Sequence, residues 1–117
     1  MSLTVALLVG CSSSDNSVAD ETTDTATATG NVVVINLVVG ENTGPDMKQT
    51  VSLGASVRIT VTNPNGADEI HVHGYDISTG VMAKGQEAVM EFVASNAGTF
   101  DLESHVSEEI VFILTVE

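Results

Sequence analysis

The sequence predicts an all-β Greek-key sandwich of about seven strands. Three observations lead there. The hydrophobic 43% of the 117 residues has only three Phe, one Tyr and no Trp, and Val and Ile recur through it; β-branched side chains suit a pleated surface better than a helix. Short runs of alternating polarity are separated by turn residues, and no stretch holds a 3.6-residue period with helix caps. Strands of this length at this spacing are the signature of a sandwich.

The first thirty residues stand apart. Leu3 to Gly10 is a short apolar run ending at Cys11, the one cysteine of the chain. Spanning a bilayer takes about 20 apolar residues, so residues 1–10 read as the end of an export signal, truncated because Met1-Ser2 lacks the usual positive charge. Leu8-Val9-Gly10-Cys11 resembles a bacterial lipobox. That resemblance implies a lipidated Cys11 and an extracytoplasmic protein held to a membrane by several acyl chains, which anchor stably where one does not. From Ser12 to Gly30 the chain is mostly Ser, Thr, Asp and Ala, with Val18 its only large apolar residue and no period. Such a segment buries too little surface to offset its ordering entropy. Residues 11–30 are therefore expected to be the lipidated cysteine and an acidic tether, and residues 31–117 the folded domain.

Within that domain, Val32 to Val39 reads as a strand covered on both faces, and Glu41 to Asp46 as a loop. Thr50 to Leu53 is a short strand and Gly54-Ala55 a turn. Ser56 to Thr62 alternates, with Val57, Ile59 and Val61 inward. Asn63-Pro-Asn-Gly66 is a turn. Glu69 to Ile77 is the next strand, Ser78 to Gly85 a connection, and Glu87 to Val93 another alternating strand. Thr99 to His105 and Ile110 to Val116 complete the set.

The formal net charge is −13, with Lys48, Arg58 and Lys84 the only basic side chains. A surface of that sign repels phosphate, which excludes nucleic acid as a partner. It attracts cations. All three histidines, His71, His73 and His105, lie in two short segments. Residues two apart on a strand share a face, so His71, His73 and Tyr75 are expected on one side, with Ile70 and Val72 on the other. Phe100 and Leu102 likewise oppose Asp101, Glu103 and His105. If the two strands are neighbours, His71, His73, His105 and Glu103 converge, and imidazole with carboxylate suits Cu(II) or Zn(II). The alternative is a solvated polar face on a metal-free interaction or structural module. Met82 and Met90 read as core fillers before thioether ligands.

No catalytic constellation emerges. Gly-x-Ser-x-Gly and phosphate-loop patterns are absent from the sequence, and Ser104 and His105, adjacent on a strand, face apart and make no nucleophile–base pair. The expectation is a protein that is not an enzyme.

From Val32 to Glu117 the order of strands resembles a cupredoxin domain. His73-Gly-Tyr-Asp-Ile77 is similar to the segment carrying that family's first copper ligand. Gln86 to Phe92, then Ala97 to Leu102, resemble the strands leading into its ligand loop, and Leu114-Thr-Val116 its closing strand. The resemblance implies the family's cysteine position at Ser104 and its axial methionine position at Ile110, with Val106 to Glu109 replacing the loop that holds the second histidine. Only His73 is then in register, and a type 1 copper centre, which needs a thiolate, is not expected. What the resemblance implies instead is a lipid-anchored extracytoplasmic protein that binds copper, with zinc as the alternative, through histidines and without type 1 redox chemistry.

Overall fold

A computed structural model describes residues 32–117; Cys11, the signal segment and the tether fall outside the described residues. The eight strands are β1 (Val32–Val38), β2 (Lys48–Val51), β3 (Ser56–Thr62), β4 (Ile70–Val72), β5 (Ile77–Ser78), β6 (Glu87–Val93), β7 (Gly98–Ser104) and β8 (Ile110–Val116). They form a three-stranded sheet, β1-β3-β6, and a five-stranded sheet, β2-β8-β7-β4-β5. β1 runs parallel to β3 and β2 parallel to β8, while the other pairs are antiparallel. No helix occurs among the described residues. This is an all-β sandwich of Greek-key type, as the alternation predicts.

The core lies between the sheets. Val57, Ile59 and Val61 from β3 and Ile35 and Leu37 from β1 meet Ile70, Val72, Leu102 and Leu114 from the facing sheet. Burying one such aliphatic side chain is worth about 1.5–3 kcal/mol. Met82 and Met90 are 1% and 3% exposed inside this cluster, so both fill the core and neither presents its sulfur to solvent.

Two expectations need correction. β1 is not covered on both faces: Val33, Ile35 and Leu37 turn inward to differing degrees, while Val32 and Val34 are exposed. It is the edge of a sheet whose outer face has no second layer among the described residues. The segment Glu69 to Ile77 is not one strand either. β4 stops at Val72, and the chain turns through Gly74 (φ +92°) and Asp76 (φ +55°) before β5. A β-carbon at residue 74 would lie 2.5 Å from Phe100 Cδ1, so close packing and the left-handed backbone both call for glycine there. The turn carries Tyr75 off the histidine face. Its ring packs against Phe92 and Phe100, with centroids 4.8 and 4.7 Å away, and its hydroxyl donates to the Asn96 carbonyl at 2.9 Å.

Candidate metal site on the outer face of the five-stranded sheet

β4 and β7 are neighbours, which the convergence of the histidine segments required. Their antiparallel register pairs Ile70 with Ser104, His71 with Glu103 and Val72 with Leu102. Backbone hydrogen bonds continue the ladder beyond both ends: the His105 amide donates to the Glu69 carbonyl, and the His73 amide to the Asp101 carbonyl, each at 2.9 Å. With a side-chain period of two, Ile70, Val72, Leu102 and Ser104 enter the core. Glu69, His71, His73, Asp101, Glu103 and His105 stay on the outer side. Every histidine of the chain thus stands opposite an acidic residue across one strand pair.

The side chains make that pairing concrete. His73 Nε2 lies 2.8 Å from Glu103 Oε1. An ionised carboxylate only accepts, so Nε2 carries the hydrogen and the neutral ring keeps its Nδ1 lone pair free. His105 Nδ1 is 3.7 Å from Glu69 Oε1, and His71 Nε2 is 3.6 Å from Asp76 Oδ1. Those two distances are close contacts, longer than hydrogen bonds. Glu69 is itself held, because Ser78 Oγ donates to its Oε2 at 3.0 Å.

His71 is the centre of the group. Its ring centroid is 4.9 Å from that of His73 and 5.4 Å from that of His105. Its Nδ1 is buried with no hydrogen-bond partner, an arrangement that costs about 1–3 kcal/mol when nothing compensates it. Two imidazoles bound to one ion at about 2.0–2.1 Å place their centroids about 4.4–5.5 Å apart for angles between 90° and 120° at the metal. Both measured separations fall in that interval. The donor atoms do not yet converge: among the described residues no three His, Cys, Asp or Glu side chains are set to hold an ion as they stand. A shared ion therefore requires the rings, His71 among them, to rotate from these positions.

Ser104 belongs to a different structure on the opposite face. It is 1% exposed, and its Oγ donates to Asp68 Oδ1 at 2.7 Å. Asp68, 4% exposed, also accepts from Asn63 Nδ2 and from the Glu69 amide, each at 2.8 Å. The amides of Val106 and Ser107 donate back to Ser104 Oγ at 3.2 and 3.1 Å. The residue that meets Ser104 is therefore Asp68 and not His73, which corrects the register assigned to His73. His73 follows the far end of β4 on the outer face, whereas Asp68 shares the inward parity of Ile70. Among the described residues, neither a type 1 ligand set nor any His, Cys or Met side chain lines the cleft beside Ser104, which Asp68, Asn63 and Ile110 help to form.

Asp68, Glu69 and Asp76 join these sites in the structure without being among the residues the sequence points to. The first two were open to parity, lying two residues before Ile70 and His71. Asp76 was not, since only the turn brings it back to His71.

No protein-family model matches the sequence, and no curated protein sequence matches it. Solved structures do resemble it. Auracyanin from the photosynthetic bacterium Roseiflexus castenholzii superposes with a TM-score of 0.60 at 15% identity, covering 75% of this chain and 99% of auracyanin. A copper-binding protein in its apo form gives 0.59 at 18% identity, covering 76% of this chain and 91% of that one. Copper nitrite reductase from Nitrosomonas europaea gives 0.61 at 15% identity over 74% of this chain, which spans only 42% of the reductase. Identities this low speak for the fold alone, and the fold of the described residues is cupredoxin-like.

Proposed function

We propose that this protein is an extracytoplasmic, lipid-anchored cupredoxin-like protein that binds copper, with zinc as the alternative ion, through His71, His73 and His105, and with Glu103 in the site. The observation that carries the reading is that all three imidazoles share one outer face, with the His71 ring, whose buried Nδ1 has no hydrogen-bond partner, next to both of the others. The residues fit the metal: imidazole and carboxylate are suitable donors for Cu(II) and Zn(II), and the separations of the His71 ring from His73 and from His105 are those of rings sharing an ion. The fold neighbours include copper proteins by their own descriptions, which supports copper as the cargo. Electron transfer of the type 1 kind has no support, since Ser104 and Asp68 replace the ligands it needs. The role is binding, not catalysis. Anchoring rests on the lipobox-like Leu8-Val9-Gly10-Cys11, and the surplus of acidic groups favours cations near the domain.

Metal analysis of protein purified without a histidine tag, followed by Cu(II) and Zn(II) titration, tests this. Wild type is expected to bind one ion, and His71→Ala/His73→Ala/His105→Ala to lose at least a hundredfold in affinity. Equal binding by the two proteins sinks the reading.

A second reading, a metal-free interaction module, is favoured by one observation. Val32, Val34, Val89 and Val93 are exposed on the outer face of the three-stranded sheet. Equal, poor metal binding by wild type and triple variant is its expected signature.

A further inference from the structure

We propose that the outer-face site is selective for oxidation state: it takes the divalent copper ion and discriminates against the monovalent one. This rests on the metal-binding reading above and adds what kind of ion the site is built for.

Two independent features of the chain lead there. The first is donor type. Cu(I) is favoured by thiolate and thioether sulfur, whereas imidazole and carboxylate suit the divalent ion. Among the described residues, no sulfur reaches the site. Met82 and Met90 are sealed in the core on the other face of the sheet. Met47 precedes β2 and accepts from the Ile113 amide. In the order β2-β8-β7-β4-β5 that places it three strands from β4, about 14 Å at the usual strand spacing.

The second feature is charge. Glu103 contacts His73, Glu69 contacts His105 and Asp76 contacts His71, and Asp101 stands level with His73 on the same face. With the imidazoles neutral, the site carries only negative charge. Coulomb attraction scales with the charge of the ion, so these carboxylates stabilise a dication about twice as strongly as a monocation in the same place. They also act on the rings. A carboxylate holding one ring nitrogen fixes the tautomer and the ring orientation. Glu103 does so for His73, leaving Nδ1 free. Glu69 and Asp76 stand next to ring nitrogens of His105 and His71, at 3.7 and 3.6 Å. Glu69, Asp76 and Glu103 are thus positioning residues whose charge sets the preference for the doubly charged ion.

The test compares affinities for Cu(II) and for Cu(I), the latter kept reduced with ascorbate and buffered with bicinchoninate, on the full chain. Wild type is expected to bind Cu(II) at least a hundredfold more tightly. Protein film voltammetry should then place the bound couple about 118 mV below aqueous copper, at 59 mV per tenfold for one electron. In Glu69→Gln/Asp76→Asn/Glu103→Gln, which keeps every imidazole, the gap is expected to shrink at least tenfold. The single variant Glu103→Gln, which removes one surface charge, is expected to shrink it in the same direction. Equal affinity of wild type for the two ions overturns the inference, as does an unchanged gap in the amide variants. Failure of wild type to bind Cu(II) at all overturns the metal reading with it, whereas Cu(II) binding without a gap overturns this inference alone.

Discussion

Ser104 Oγ donates to Asp68 Oδ1 at 2.7 Å inside the sandwich, while the next residue, His105, is on the outer face. That one-residue change of side separates two sites that a cupredoxin resemblance brings together in thought. The inner position is a closed polar network, and the outer one is an open group of imidazoles.

The network makes Ser104→Ala expensive. Asp68 Oδ1 would keep only the Glu69 amide, and the Val106 and Ser107 amides would lose their acceptor. Leaving buried polar groups unpaired costs about 1–3 kcal/mol, so the midpoint of urea unfolding should fall accordingly. Copper affinity at the outer face should be unchanged.

Restoring a thiol should not restore a blue site. Ser104→Cys places sulfur beside Asp68, with every histidine on the other side of the sheet. No intense visible charge-transfer band is expected on adding Cu(II), as absorption spectroscopy would show directly. A strong blue colour would mean that an imidazole reaches the inner face.

Gly74→Ala should destabilise the domain and disturb the site together. A residue forced into an unfavourable backbone region costs about 1–3 kcal/mol, and here the added β-carbon also meets the Phe100 ring. Because His73 precedes the turn directly, weaker Cu(II) binding should accompany the lower unfolding midpoint, both measurable on one preparation.

Met90→Leu separates core from ligand. Volume-conserving exchanges of buried apolar side chains cost less than about 1.5 kcal/mol, and copper titration should be unaffected. A marked loss of affinity would place the Met90 thioether at the metal.

How far the sequence could be read depended on where the period of two held. Parity placed Val57, Ile59 and Val61 in the core, put His71 and Glu103 on the outward faces of their strands and separated Ser104 from His105; the register that pairs His71 with Glu103 came from the structure. Asp68 shares the parity of Ile70 and is buried beside Ser104, whereas the motif around His73 points to the outer face. Tyr75 went astray because the period ends at Val72: Gly74 and Asp76 have positive φ, and the aromatic packing of Tyr75 with Phe92 crosses to the other sheet. The exposed side of β1 was hidden by composition, since an unbroken valine-rich run looks the same for a buried strand and for an edge. Ring orientation was out of reach altogether. Alternation fixes which face a histidine takes, and only the coordinates show that the three imidazoles do not yet converge.

Pulsed electron paramagnetic resonance of the Cu(II)-loaded protein tests the central claim most directly, since it detects the remote nitrogens of bound imidazoles. The account predicts signals from at least two imidazoles, reduced by each of His71→Ala, His73→Ala and His105→Ala and unaffected by Ser104→Ala. A copper signal without imidazole modulation, or one that survives loss of all three histidines, would contradict it.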